Sequence, residues 1–121
     1  MKENVIREKS LLFAVRIVRL ANYLREEKRE YILSKQIIRS GTAVGALVRE
    51  AKYGESTNDF LHKLTIALKE AGETEYWIEL LFQTDYISKE EYDSVINDIH
   101  ELIKILTAIT KTIKASKAGS K

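Results

Sequence analysis

The strongest constraint on the fold is a run of seven apolar residues near the C-terminus that recur in alternating steps of three and four. They are Tyr92, Val95, Ile99, Leu102, Leu106, Ile109 and Ile113. Such steps keep side chains on one face of an α-helix, whereas a half-buried strand requires steps of two. Ile96 and Ile103 widen the face beyond a single two-helix seam, which predicts contact with more than one neighbouring helix.

Three earlier segments show the same helical period. Their apolar stripes are Ile6, Phe13, Ile17, Leu20 and Leu24; Ile38, Gly41, Gly45 and Val48; and Leu61, Leu64, Leu68 and Ala71 followed by Trp77, Ile78, Leu81 and Phe82. The chain contains no proline, so no segment carries the residue that most often breaks a helix. Four helices with short connections in 121 residues predict one all-α domain, an antiparallel up-down-up-down four-helix bundle.

Local signals mark the helix ends. Ser34 is expected to cap the second helix, while Ser56 with Asp59 and Ser88 with Glu91 match capping boxes for the third and fourth. The predicted elements are helices over about residues 4–26, 34–53, 57–83 and 88–115, and a mobile basic tail over 116–121.

Two glycines, Gly41 and Gly45, lie inside the second helix, where each costs roughly 1 kcal/mol relative to alanine. They fall on the apolar face, so their lack of a side chain would let another helix backbone approach closely. Ser40 and Ala46 extend this patch of small residues. We expect these four residues to form a close helix contact, within the bundle or between subunits; the alternative is a local kink at Ser40-Gly41.

The residues around these glycines form a longer pattern. Its elements are Arg39-Ser40-Gly41-Thr42, Val44-Gly45-Ala46, Arg49-Glu50-Ala51, Glu55-Ser56, Asp59-Phe60, Lys63-Leu64, Ala67-Leu68, Glu70-Ala71, Glu73-Thr74-Glu75 and Trp77. This pattern resembles the four-helix-bundle proteins encoded in intervening sequences of bacterial 23S ribosomal RNA genes. The resemblance covers roughly residues 13–110. Gly72 departs from it, because that family has a long side chain, often arginine, at this position.

The resemblance implies a small non-enzymatic protein that assembles into a homo-pentameric ring. It also implies structural kinship with the accessory proteins of diversity-generating retroelements, which are basic pentamers that bind nucleic acid and a reverse transcriptase. The partners to expect are therefore further copies of the chain, RNA or DNA, and a reverse transcriptase or another protein. The family offers no catalytic residues to transfer to this sequence.

Charge is strongly segregated along the chain. Residues 1–53 hold 12 Lys/Arg and 6 Asp/Glu, residues 54–103 hold 3 and 12, and residues 104–121 hold 5 lysines and no acid. Either the basic and acidic parts pair across the fold, or a basic face stays exposed for a polyanion. The candidate phosphate contacts are Lys9, Arg16, Arg19, Arg25, Lys28, Arg29, Lys35, Arg39 and Arg49, with the tail lysines. The alternative function is a protein-interaction scaffold that binds no nucleic acid.

The sequence gives no support for catalysis or a cofactor. It has no cysteine, and Asn97 and Lys104 stand where the di-iron and zinc-protease motifs would require ligands beside His100. We therefore expect a non-enzymatic protein without metal or cofactor. The charged N-terminus, and apolar runs far shorter than the roughly 20 residues of a membrane span, predict a cytoplasmic protein with no membrane contact.

Overall fold

The computed structural model describes residues 2–119, with the side chains of residues 4–118. Its elements are α1 (Lys2–Glu26), α2 (Leu33–Lys52), α3 (Thr57–Gln83) and α4 (Lys89–Gly119). The helix ends lie within two residues of the predicted ones except at the end of α4. There the helix continues through residues 116–119, where a mobile tail is predicted, and Lys117 donates a hydrogen bond to Asn58 in the first turn of α3. Tail residues 120 and 121 lie outside the described part of the chain.

The apolar stripes of the four helices meet in one core. The predicted α1 stripe is buried along its whole length, and so is the centre of the α4 stripe from Val95 to Ile109. In α2 the stripe differs from the prediction, because Ile37 and Val44 are fully buried whereas Ile38 is only partly buried. Successive helical residues point about 100° apart, so a small rotation of α2 decides which of two adjacent isoleucines enters the core.

Each helix packs against the next one in the chain, and α4 returns to pack against α1. The α1–α4 contact is much sparser than the other three. Within residues 2–119 the structure contains no strand, and none of its helices is long and apolar enough to cross a membrane. The result is an all-α four-helix bundle in which the backbones of α1 and α4 approach each other least closely of the four adjacent pairs.

A buried glutamate, not singled out by sequence analysis, holds the start of α2. The Glu30 carboxylate accepts hydrogen bonds from the backbone N–H groups of Ile32, Leu33 and Ser34 at 3.1, 2.9 and 2.7 Å. The predicted N-cap role of Ser34 is therefore wrong: Ser34 lies in the first turn of α2, and its hydroxyl donates to the Glu30 carbonyl at 2.8 Å. A carboxylate here satisfies the free N–H groups of the helix and interacts favourably with its dipole.

The two predicted capping serines at the later helices are confirmed. Ser56 Oγ accepts a hydrogen bond from the Asp59 N–H at 3.1 Å, and Ser88 Oγ accepts one from the Glu91 N–H at 3.1 Å. Both interactions are local in sequence, which explains why the sequence sufficed to predict them.

Two non-glycine residues adopt the left-handed conformation just past helix ends. Arg29 (φ 53°) follows α1, and Asp85 (φ 67°) follows α3. In each case the N–H of the next residue bonds back to a carbonyl in the last part of the helix at 2.9 Å. This is a common helix stop that glycine normally supplies, because the left-handed conformation costs other residues roughly 1–2 kcal/mol.

The glycines of α2 face α1 of the same chain. A Cβ atom on Gly41 would lie 2.9 Å from Ile17 Cγ2, and one on Gly45 would lie 3.2 Å from the Ser10 carbonyl oxygen. Because both distances are shorter than ordinary packing contacts, a larger residue at either position would force the two helices apart. The absent side chains thus set the spacing of α1 and α2.

The other two residues of the predicted close-contact patch lie elsewhere. Ser40 is fully buried but faces α3, where its hydroxyl lies 2.9 Å from Thr74 Oγ1. Ala46 is exposed, so it makes no close helix contact within the bundle, and its part in a contact between subunits stays a prediction. One residue beyond Gly45 the helix has turned about 100° away from α1. Ala46 instead lines a shallow surface depression beside Ala14.

Candidate nucleic-acid interface

Three of the nine predicted phosphate contacts are paired with carboxylates on neighbouring helices, at the surface of the bundle. Lys9 Nζ lies 3.2 Å from Glu101, and Arg16 Nη1 lies 2.8 Å from Asp98, both across the α1–α4 seam. Arg39 is held by glutamates of α3. These pairs join the basic first half of the chain to its acidic middle part, which is one of the two interpretations of the charge pattern. The three residues therefore contribute little positive charge toward a ligand.

Arg39, like Arg16, contacts two carboxylates. Its guanidinium donates to Glu70 at 3.4 Å and to Glu73, which also accepts a hydrogen bond from Trp77 Nε1 at 3.0 Å. Hydrogen bonds to Glu73 and then Glu70 raise the pKa of Arg39, and hydrogen bonds from Trp77 and then Arg39 lower the pKa of Glu73. Arg39 thereby ties α2 to α3.

Five other candidates are spread from the C-terminal part of α1, through the α1–α2 connection, to the first turn of α2. This group, called the Arg29 cluster, consists of Arg19, Arg25, Lys28, Arg29 and Lys35. Its members are exposed or partly exposed, and none is ion-paired with a carboxylate of the described residues. Arg29 occupies the left-handed stop position, where glycine would be conformationally cheaper. The Arg29 cluster thus offers exposed cations without an ion-pair partner among the described residues, in a segment that also carries the exposed Glu26 and Glu27.

The ninth candidate, Arg49, lies near the end of α2, next to the start of α1. Two cations that were not among the candidates, Arg7 and Lys52, lie beside it. Arg7 and Arg49 line the surface depression between α1 and α2, and Arg7 and Lys52 line a neighbouring cavity. These three residues form the Arg49 cluster, and the described chain provides none of them with a carboxylate partner. Lys52 Nζ lies 5.7 Å from the centre of the Tyr53 ring.

The contact between Gly45 and α1 explains why Arg7 lies beside Arg49. Gly45 faces Ser10, so a residue one turn later in α2 should lie near a residue one turn earlier in α1, if the helices are antiparallel. Those residues are Arg49 and Arg7, which line the same depression. The sequence did not show that Gly45 faces α1, so this register could not be used.

The outward face of α1 is apolar to an unusual degree. Leu11, Leu12, Val15 and Val18 are all exposed, Leu12 to 68% of its surface. They lie on the side of α1 opposite its core stripe. Sequence analysis missed this second face because it considered only the stripe that fills the core. Contiguous exposed apolar surface of this kind marks protein–protein contact sites.

The two histidines have different surroundings. His62 is exposed on α3, whereas His100 Nε2 contacts the Glu75 carboxylate across the α3–α4 seam. Among the described residues, no three His, Asp or Glu side chains converge in an arrangement that could hold a metal ion. His100 thereby joins α3 to α4, whereas the described residues give His62 no hydrogen bond or ion pair.

Comparison with known proteins gives one family and a solved structure. The family model described as 23S rRNA-intervening sequence protein matches residues 2–108. The chain is also similar to a protein of unknown function from the S23 ribosomal protein family of Bacteroides thetaiotaomicron VPI-5482, whose crystal structure was determined at 1.70 Å. The TM-score is 0.91 at 56% identity, over 92% of this chain and 99% of that chain. No curated protein matches the sequence.

Proposed function

The chain belongs to the 23S rRNA-intervening sequence protein family, and from this premise we propose that it is a homo-oligomeric, non-enzymatic protein that binds RNA or DNA. It acts in the cytoplasm as an accessory to a nucleic-acid enzyme such as a reverse transcriptase. The observation that carries the proposal is that some basic residues have carboxylate partners and others have none. Three are paired with carboxylates on neighbouring helices, whereas the Arg29 and Arg49 clusters have no carboxylate partner among the described residues.

The proposed subunit is an antiparallel up-down-up-down bundle. Contacts between α1 and α2 run in opposite sequence directions, since Gly41 faces Ile17 and Gly45 faces Ser10. The same reversal appears in Arg39–Glu73 and Glu50–Lys63 between α2 and α3, and in Lys9–Glu101 and Arg16–Asp98 between α1 and α4. The short connections between consecutive helices support this order.

The proposed assembly is a pentameric ring in which the exposed apolar face of α1 is buried between subunits. In a closed ring each subunit contributes two different surfaces, so this face would meet another part of the neighbouring subunit. Burial would remove from water the apolar patch formed by Leu11, Leu12, Val15 and Val18. The apolar face is the structural support for assembly; the number five comes from the family resemblance.

A charge-introducing variant tests this assembly. Leu12→Lys combined with Val15→Lys should reduce the mass measured by light scattering from that of a pentamer to that of a monomer. Helicity by circular dichroism should persist, because both side chains are exposed in the subunit. The matched control is Ile32→Lys, at an exposed residue in the α1–α2 connection, which should keep the wild-type mass. A monomeric wild type, or equal masses for all three proteins, would contradict the proposal.

Nucleic-acid binding would rest on phosphate contacts and repetition around the ring. Unpaired arginines and lysines bind phosphates without reading bases, and counterion release makes such binding strongly salt-dependent. Five copies of each cluster would let individually weak contacts add by avidity. The backbone of Arg29 gives a further reason to expect binding at the Arg29 cluster. An arginine in the left-handed conformation costs stability, so its side chain is expected to serve some purpose other than ending α1.

Fluorescence anisotropy of labelled RNA and DNA oligonucleotides across salt concentration tests the proposal. Affinity should fall steeply between about 50 and 200 mM salt, as expected for several phosphate contacts. Arg7→Gln combined with Arg49→Gln should weaken binding about tenfold and flatten the salt dependence. The control Arg39→Gln should leave affinity nearly unchanged, because Arg39 is already paired with glutamates. Absence of binding in dilute buffer, or no salt dependence, would rule the function out.

A glycine substitution separates the charge of Arg29 from its backbone role. Arg29→Gly should stabilise the fold by about 0.5–1 kcal/mol while weakening nucleic-acid binding. The matched control Asp85→Gly relieves the same backbone strain after α3 and should stabilise without weakening binding. If Arg29→Gly leaves affinity at the wild-type value, Arg29 does not contact the ligand.

The second candidate function is a protein-interaction scaffold. The exposed apolar face of α1 favours it, because the same surface could bind a different protein instead of a second copy. A monomeric wild type that does not bind oligonucleotides at any salt concentration would support this alternative.

A further inference from the structure

A partly enclosed cavity of about 220 Å³ lies at the end of the bundle where α1 begins. Its apolar walls come from all four helices and consist of Ile6, Val48, Phe60, Leu64 and Ile109. All but Phe60 are at least nine-tenths buried, so the cavity reaches into the core. An engineered apolar cavity of about 150 Å³ in another protein is large enough to bind benzene. The space here can therefore accept a small organic molecule.

The polar groups beside this cavity are cationic or neutral. Asn4, Arg7 and Lys52 complete its lining, and no acidic residue is among the described residues that line it. Neither Arg7 nor Lys52 is ion-paired with a carboxylate of the described chain. Two positive charges thus lie next to an apolar hollow, an arrangement complementary to a molecule with an anionic head and an apolar chain.

We propose that this cavity binds a small amphipathic anion, with an aliphatic chain against Val48, Leu64 and Ile109 and a carboxylate near Arg7 and Lys52. A purely apolar ligand would make no use of the two charges. A nucleobase that entered the core part of the cavity would place polar edges against Val48, Leu64 and Ile109, whose side chains offer no hydrogen bonds, which is unfavourable. The charge and the apolar lining together favour an alkyl carboxylate. The test requires no nucleic acid, so its outcome is independent of the function proposed above.

Calorimetric titration with hexanoate, octanoate and decanoate, each below its micelle concentration, tests the ligand class. Each added methylene should tighten Kd about fourfold until the cavity is full. Octan-1-ol should bind at least fivefold more weakly than octanoate to the wild type. Arg7→Gln combined with Lys52→Gln should remove this difference. Affinity that does not change with chain length, or equal binding of the acid and the alcohol by the wild type, would overturn the proposal.

A filling variant tests the location. Val48→Phe should weaken octanoate binding at least tenfold and keep or raise Tm, because the new ring occupies existing space. The matched control is Val44→Phe, one turn earlier on α2 at a fully buried residue outside the cavity lining, which should lower Tm by overpacking. If Val48→Phe lowers Tm as much as Val44→Phe does, or leaves octanoate affinity unchanged, the assigned cavity is wrong.

Methyl NMR spectra of the wild type give a readout that does not depend on any variant. Octanoate should shift the methyl resonances of Ile6, Val48, Leu64 and Ile109 and leave those of Ile78, in the core but outside the cavity lining, unchanged. Shifts located elsewhere, or no shifts, would overturn the proposal. If a short single-stranded oligonucleotide shifts these methyls and octanoate does not, the cavity is a base-binding site instead.

Discussion

Helix α1 packs against its two neighbours, α2 and α4, in opposite ways. Against α2 the close contact depends on the absence of side chains at Gly41 and Gly45, which lets the backbone of α2 approach Ile17 and Ser10. Against α4 the packing is sparse, and ion pairs such as Arg16–Asp98 cross a seam that contains surface depressions. The spacing of α1 and α2 is set by close packing at the glycines, whereas ion pairs cross the exposed edge of the α1–α4 seam.

This difference has consequences for stability and for function. A seam held by close packing tolerates little added volume, because the interior is already near crystalline density. The partly exposed ion pairs on the α1–α4 seam add little stability to that of its buried apolar residues, since such pairs are typically worth about 1 kcal/mol or less. The apolar face proposed to bind a neighbouring subunit includes Leu12, which also lines a depression on the charged seam. Leu11, at another edge of the same face, lines the depression between α1 and α2, so the proposed subunit contact borders both seams.

The largest expected effect comes from filling the close seam. Gly41→Leu should destabilise the fold by about 3 kcal/mol or more, because even a Cβ atom would lie 2.9 Å from the buried, β-branched Ile17. Chemical denaturation monitored by circular dichroism measures the change. A loss below about 1 kcal/mol would mean that α1 and α2 are not closely packed at this glycine.

A glycine that touches nothing should behave in the opposite way. Gly72 is exposed on α3, and a Cβ atom there would have no heavy atom within 4 Å. Gly72→Ala should therefore stabilise the fold by about 0.5–1 kcal/mol through helix propensity alone. The same denaturation experiment measures it. A destabilised variant with reduced oligomer mass would instead show that a neighbouring subunit packs against Gly72.

Removing charge from the α1–α4 seam should have an effect much smaller than that of Gly41→Leu and similar in size to that of Gly72→Ala. Arg16→Gln breaks the contacts with Asp98 at 2.8 Å and Glu91 at 3.4 Å, at a cost of about 0.5–1 kcal/mol. A double-mutant cycle with Asp98→Asn isolates the coupling energy, which should stay below about 1 kcal/mol. A coupling above about 2 kcal/mol would remove the contrast between the two seams.

The smallest effect concerns pH at the α2–α3 seam. Hydrogen bonds from Trp77 and Arg39 lower the pKa of Glu73 below its ordinary value of 4.5, so the folded state favours the ionised form. The resulting stability is present above about pH 4.5 and is lost as pH falls through the lower, folded-state pKa. Because Glu73 is partly exposed, Glu73→Gln should remove at most about 0.5 kcal/mol of this acid dependence.

The unfolding free energies of wild type and Glu73→Gln between pH 3 and 7 measure the pH-dependent stability that Glu73 contributes. The difference between the two proteins should shrink toward acid pH. A difference that grows as the pH falls would mean that the sign of the pKa shift is wrong.

Some of the helix ends could be predicted from sequence and others could not. Ser56 and Ser88 cap residues three positions ahead, so their patterns were visible in the sequence. Glu30 was missed because its carboxylate caps α2 from within a charged connection that matches no standard motif. Arg29 was missed as a helix stop because that position normally carries glycine.

The candidate interface was predicted less completely than the fold. The sequence supplied nine candidate cations. It did not distinguish Arg39, which is paired with glutamates, from Arg49, which lies ten residues later in α2 and has no carboxylate partner among the described residues. Arg7 and Lys52 were not selected at all. Charge pairing depends on which residues of distant helices lie side by side, and that is set by helix rotation and register.

By itself, the sequence determined four helices, the approximate limits of each, and most of the stripes that form the core, because helical periodicity and serine caps act over three or four residues. Only the tertiary structure decided that the α2 glycines face α1, which cations stay unpaired, and where apolar surface remains exposed. These features arise from contacts between helices far apart in the chain, where a rotation of a few tens of degrees exchanges one partner for another.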